Sequence, residues 1–269
     1  MPELPEIAHL SQQMQLALTG KIISSIEVLQ PKCLNLDPAS FLSALTGAQI
    51  AHVSYHGKWL EIETNRGWLL LNLGMGGECL LVSRSSLPEK CRLVFDFTDA
   101  ICLSINFWWF GYAHFVPIGH RNDHAMTASL GANAIEISLE DLKVMMKGQR
   151  GRIKPFLLDQ SQIAEIGNAY IHDILFLARL HPLRKIETLT ESDISLLYQA
   201  IQEGLRPSLA KGGAFYELDL HGNKGCFTMD DILIGYKENQ PCPTCRTPII
   251  KIKTGSTPSF ICPTCQPAP

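Results

Sequence analysis

Near its C-terminus the chain reads Cys242-x2-Cys245, then sixteen residues, then Cys262-x2-Cys265. No other feature restricts the local fold so tightly. Two CxxC pairs at this separation suit one tetrahedral zinc ion, with Zn–S bonds of about 2.3 Å, at the base of a β-hairpin. The segment between them, IIKIKTGSTPSFIC, has the strand–turn–strand character of a zinc ribbon. Four cysteine ligands make a closed, structural site and not a source of activated water. The alternative is chance spacing of reduced thiols. Lys251 and Lys253 place basic charge on the hairpin, suited to a phosphate backbone or simply to solvent.

The other five of nine cysteines are scattered. With no basic segment followed by an apolar one, and no apolar run near about 18–20 residues, neither a signal peptide nor a membrane span is expected. An odd cysteine count without a secretion signal points to reduced thiols in a cytosolic setting. The net charge of −3 does not announce a nucleic-acid partner. Charge is uneven, however: 9 of 23 basic and 14 of 26 acidic residues precede residue 146. Only a local basic patch could attract phosphates.

Residues 3–19 carry Leu4, Ile7, Met14 and Leu18 at helical spacing, with Thr19-Gly20 as a stop. Then follow IISSIEVLQ, AHVSYHGKWLEIET, GWLLLNL, ECLLVS, CRLVFDF and ICLSINFWWF, short β-rich runs separated by turn residues. They predict an antiparallel sandwich or barrel, with a short helix at 38–46 started by Asp37-Pro38. Beyond about residue 133 the pattern is helical: Ser138 opens a helix to Gly148, Asn168 precedes AYIHDILFLARL, and Thr190 opens a helix ending at Arg206-Pro207. The fold class expected is α+β, multi-domain. The divisions are 1–133 (helix and β-sandwich), 134–225 (helical) and 226–269 (ribbon).

The first residues, MPELPEIAHL, place Pro2, Glu3 and Glu6 at a helix start. Proline suits a first helical turn and acidic residues suit its positive end, so local helix physics alone accounts for them.

Three segments together go further: PELPE, then IKPFLLDQSQIAEIGNAYIHDILFLARLHPLR, then the four-cysteine ribbon. In this order, over essentially the whole chain, they resemble the formamidopyrimidine-DNA glycosylase and endonuclease VIII family of base-excision repair enzymes. DLHGNKGCF is similar to an endonuclease VIII-like side branch. The resemblance implies a helix–two-turn–helix domain at 134–225 and DNA held between the two halves. It implies that Pro2, once Met1 is removed, is the amine nucleophile on C1′, forming a Schiff base followed by strand cleavage. Glu3 is then the general acid/base, Glu6 a supporting carboxylate, and Lys58 of HGKWL a contact to phosphate that serves in elimination. Asn168 corresponds to a phosphate-binding asparagine at a helix start. Lys154 of IKP corresponds to a DNA-contacting lysine, with a surface role as the alternative.

Departures are as informative. Met75 of LGMGG matches a residue that fills the gap left by a flipped nucleotide. The partner loop in the family carries an arginine pair before Phe-Gly; here INFWWFG puts Trp108 and Trp109 there and keeps Phe110. A finger arginine is replaced by Thr257, and a histidine expected near Lys90-Cys91-Arg92 is absent. Either the indoles stack in the lesion gap, or both are buried in the sandwich.

The function expected is a bifunctional DNA glycosylase and abasic-site lyase with one structural zinc. Its partner is damaged duplex, single-stranded or bubble DNA, and it acts as a monomer in the bacterial cytoplasm at the nucleoid. Its rivals are a damage-binding module of the same fold with little catalysis, and an unrelated zinc-ribbon protein.

Overall fold

Leu4, Ile7, Leu10, Met14 and Leu18 recur every three or four residues and form one buried stripe along α1 (Leu4–Leu18). In the computed structural model, which describes residues 2–269, this stripe from Ile7 onward packs into a core shared by two antiparallel sheets. One sheet has the order β1 (Ile23–Val28), β6 (Leu93–Phe97), β7 (Ile101–Asn106), β5 (Glu78–Ser83). The other has β2 (Ile50–His56), β3 (Trp59–Thr64), β4 (Gly67–Asn72), β8 (Tyr112–Pro117). The short helix α2 (Pro38–Leu45) covers this core with Phe41 and Leu45, and Asp37 Oδ1 caps it by accepting from Ser40 N at 3.0 Å.

The chain forms two compact units, residues 1–129 with 212–226, and residues 130–211 with 227–269. This partition differs from the three segments read from sequence. Residues 212–226 return to the first unit, where Gln13 of α1 bonds Leu220 N (2.8 Å) and Asp219 (3.0 Å). In the same place Leu220 O accepts from Leu81 N of β5.

The second unit contains β9 (Ala132–Asn133) paired parallel with β10 (Ile163–Ala164). Its helices are α3 (Leu139–Met146), α4 (Ile153–Leu158), α5 (Ile171–Leu177) and α6 (Glu191–Ala210), and β11 (Ile250–Lys253) pairs with β12 (Pro258–Ile261) as the ribbon. Ser138 and Thr190 each close a capping box, with Asp141 and Asp193 respectively.

Several boundaries move from expectation. The strand expected through Phe110 ends at Asn106, where its partner β5 begins, and β8 is an additional strand. The helix after Asn168 starts only at Ile171, leaving Asn168 in the preceding turn. The last helix does not end at Pro207 but continues to Ala210. Pro207 forfeits one backbone bond, yet its fixed φ is helical. Ser208 beyond it is fully buried against the Tyr170 hydroxyl at 2.6 Å, which holds the final turn.

Candidate functional site

In the first unit, Pro2, Glu3 and Glu6 are buried at the start of α1. Glu6 Oε2 accepts from Glu3 N at 2.9 Å, a reach of one helical turn that also satisfies an amide lacking an intrahelical partner. Its other oxygen, Oε1, accepts from Ala214 N at 2.9 Å. Both carboxylate oxygens are therefore fixed, one by the helix and one by the glycine-rich segment. Gly213 makes the second bond geometrically feasible. Its φ is +93°, and a Cβ there would lie 2.9 Å from Glu6 Cγ. Met1, whose removal would free the Pro2 amine, lies outside the described residues.

Glu217, on this same segment, is a residue that sequence reasoning passed over. Burial holds its carboxyl above the ordinary range, reinforced by the negative charges of Glu6 and Glu78. The only sequence signal is an acidic residue inside an otherwise glycine-rich run.

Lys58 sits in the β2–β3 turn and is 9% exposed, so it is not an ordinary solvated turn lysine. Its carbonyl accepts from Asn72 Nδ2 at 3.0 Å, while Asn72 Oδ1 accepts from Gly74 N at 3.0 Å. Asn72 thus ties the Lys58 turn to the loop that carries Met75. That loop pairs with the aromatic segment: Met75 N donates to Trp109 O at 2.9 Å, and Trp108 N donates to Met75 O at 3.2 Å. Gly74 (φ +55°) permits the approach, since a Cβ there would lie 2.1 Å from Trp109 O. Phe107 turns inward and is buried. Trp108, Trp109 and Phe110 turn outward, 69%, 66% and 70% exposed, beside Met75 at 55%. The alternative that both indoles belong to the core is overturned.

In the second unit the surface role considered for Lys154 fails: the side chain is 2% exposed. Its Nζ donates to Pro258 O and Ser259 Oγ, both at 2.9 Å, and lies 3.2 Å from Thr257 Oγ1 and 3.3 Å from Thr254 Oγ1. These partners are neutral oxygens of the ribbon hairpin, and burial lowers the ammonium to about 8. Thr257 Oγ1 also donates to Asn168 Oδ1 at 3.1 Å. Lys154, Asn168 and Thr257 therefore form one network. Lys251 and Lys253 project from the exposed side of β11, with Lys251 Nζ 5.9 Å from the Phe260 ring centre.

The four ribbon sulfurs lie within 4.8 Å of one another, with Sγ–Sγ distances of 3.9 Å for Cys242–Cys265 and 3.3 Å for Cys245–Cys262. Such a cluster fits a tetrahedral ion. Hydrogen bonding with Thr247 lowers the Cys245 thiol to about 6 while burial raises the Cys262 and Cys265 thiols, and a bound cation would favour the thiolate at each. Cys242, Cys245, Cys262 and Cys265 hold one structural zinc. Below it, Gln266 receives Cys262 N and donates to Leu180 O, fastening ribbon to helices.

An α1-capped β-sandwich, a helical module and a four-cysteine ribbon are the parts of a DNA-repair glycosylase fold. Family models agree: the formamidopyrimidine-DNA glycosylase N-terminal domain matches residues 1–106, its H2TH domain residues 130–218, and the zinc finger found in FPG and IleRS residues 239–268. A formamidopyrimidine-DNA glycosylase from Pelotomaculum thermopropionicum is 32% identical, over 99% of both chains. Wild-type Lactococcus lactis Fpg bound to an N7-benzyl-Fapy-dG-containing DNA superposes with a TM-score of 0.91 at 27% identity, covering 99% of this chain and 100% of that one. The same enzyme with abasic-site DNA gives 0.90 at 26% and the same coverage. The chain belongs to the formamidopyrimidine-DNA glycosylase family.

Proposed function

We propose that this chain is a bifunctional base-excision enzyme, removing a damaged base and then cleaving the strand at the abasic site. The observation that carries this reading is the start of α1: Pro2 is held beside Glu3 and Glu6, with both Glu6 oxygens fixed by main-chain N–H groups. Residues 1–129 with 212–226 supply the chemistry, and residues 130–211 with 227–269 the grip on the DNA backbone.

With Met1 gone, the Pro2 lone pair attacks C1′. The C1′–N bond breaks and its electron pair leaves with the base, which takes a proton. Glu3 protonates O4′ as the sugar opens, and loss of the amine proton leaves an iminium at C1′. That cation acidifies C2′–H; removal of the proton, assisted by Lys58, expels the 3′-phosphate with its electron pair. Water then hydrolyses the iminium and frees the amine. Asn168, Lys154, Lys251 and Lys253 serve phosphate binding, with Lys154 acting through the hairpin network, and Met75, Trp108, Trp109 and Phe110 contact bases. The enzyme works as a monomer in the bacterial cytoplasm on duplex DNA at the nucleoid, and accepts single-stranded and bubble substrates.

Borohydride trapping on abasic DNA tests the nucleophile. Met1-processed protein forms a stable covalent adduct, and Pro2→Gly or one added N-terminal residue nearly abolishes it. Undiminished trapping by the extended protein would move the nucleophile elsewhere, Lys58 first. Binding to damaged DNA with no trapping at all would leave a damage-recognition module instead.

A further inference from the structure

Chemistry on a base in a duplex requires that base to leave the stack, which opens a gap and orphans the base opposite. Proteins that unstack DNA fill such gaps with apolar side chains. In the first unit the three consecutive residues Trp108, Trp109 and Phe110 join Met75 as an exposed apolar tip. The tip is composed of Leu73–Gly77 and Phe107–Gly111, and its side-chain hydrogen-bonding capacity is limited to the two indole N–H groups. Such a surface offers faces, with almost no means of reading a base edge.

The tip is braced. Two main-chain bonds join Met75 to Trp108 and Trp109, and the Trp108 ring lies over Gly76, 3.4 Å from where a Cβ would stand. A held aromatic face loses little freedom when a base stacks on it, and stacking serves any base because every base has a π-face.

We infer that Trp108 and Trp109, with Phe110 and Met75, hold the orphaned base by stacking alone, so that the enzyme does not discriminate among the four bases opposite its lesion. The inference rests on the DNA-repair reading above, but it is tested by binding and so does not need turnover.

The probe is a duplex with a tetrahydrofuran abasic analogue opposite A, C, G or T, and a fifth with 2-aminopurine there. Affinities for the four natural partners should agree within about fivefold, and 2-aminopurine fluorescence should be quenched on binding. Trp108→Ala and Trp109→Ala should between them remove the quenching and weaken binding about 10- to 100-fold, the range a lost base stack produces. Thermal stability should hold, because the rings are exposed. Trp108→Arg or Trp109→Arg should create a preference for one opposite base. A cytosine preference above about tenfold in the native protein would overturn the inference. So would its disappearance in Lys32→Ala or Gln30→Ala, residues that line a cavity with Trp108 and Phe110, because edge reading would then lie there. Failure to bind any of the duplexes would instead refute the DNA-repair reading.

Discussion

Glu6 and Trp108 lie in the same compact unit and are held in opposite ways. Glu6 is buried with each carboxylate oxygen on its own main-chain donor. Trp108 stands in solvent, fixed through its backbone while its side chain stays available. The difference suits the tasks proposed for them. A group that moves or steers protons must sit within hydrogen-bond reach of one atom, whereas a stacking face works over a range of positions and partners. By its resemblance to the family the chain keeps PELPE, while Trp108 and Trp109 stand where the family carries arginines, in the loop proposed to contact bases. Exchange is tolerable where the geometry is permissive.

The sharpest way to break this contrast is Glu3→Gln. Removing a general acid costs about 10²–10⁴-fold in rate, so base excision should fall by that order. Cleavage of a preformed abasic site should fall less, since its sugar already opens to the aldehyde without protonation of O4′ by Glu3. Single-turnover assays on both substrates decide it, and equal losses would remove the acid role. A loss no larger than that of Trp108→Ala would erase the distinction between the two kinds of site.

Zinc removal addresses the second unit. Cys262→Ser should eliminate the one zinc per chain measured by metal analysis and lower DNA affinity at least about tenfold, because a ribbon's metal-binding free energy is folding free energy. The sandwich has its own core in the other unit and should keep its near-ultraviolet signature. Full DNA binding by the zinc-free protein would detach the ribbon from recognition.

A smaller effect is expected from Lys154. Its pKa of about 8 in the folded protein lies below the unfolded lysine value, so across the window from 8 to about 10.4 the unfolded chain carries the extra proton. Stability therefore rises with pH through that window. DNA affinity should move the other way, falling several-fold between pH 7 and pH 9 as the ammonium loses its charge. Lys154→Arg should flatten the affinity profile, since guanidinium stays protonated. An unchanged slope in that variant would exclude Lys154 as the titrating group.

What could be read from the sequence was local. Asp37, Ser138 and Thr190 cap helices through bonds spanning three residues, and the ribbon follows from a spacing of cysteines. What could not be read was long-range. Gly213 and Ala214 return to Glu6 across 208 positions, and Lys154 is buried by a hairpin about a hundred residues away. A lysine in an IKP motif carries no mark of the oxygens that will surround it. INFWWFG likewise continues a strand by composition, and only the end of β5–β7 pairing and the Met75 bridge turn Trp108–Phe110 outward. The aromatic run was therefore visible while its exposure was not.

The mildest effect expected comes from a pair of histidines that the chemistry leaves aside. His114 Nδ1 and His124 Nε2 lie 2.8 Å apart, and His124 Nδ1 lies 2.8 Å from Thr127 Oγ1. One ring of the pair must accept while the other donates, so protonating both breaks the chain of bonds. Burial lowers His114 to about 4, helped by His124, and lowers His124 too, helped by Arg121. With folded values below the unfolded value of about 6.5, the unfolded chain takes up protons first as pH falls. Stability from this pair is present above about pH 6.5 and is lost progressively toward pH 4. His114→Gln/His124→Gln should lessen the drop in Tm between pH 7 and pH 5 by about 2–4 °C, the shift that about 1 kcal/mol makes in a chain of 150–250 residues. Differential scanning calorimetry at the two pH values measures it. A drop identical to that of the native protein would show that the pair is already protonated, or already broken, in the folded state at pH 7. Base excision at pH 7 should be unaffected by the same substitutions, which separates this network from the Glu6 site and from the aromatic tip alike.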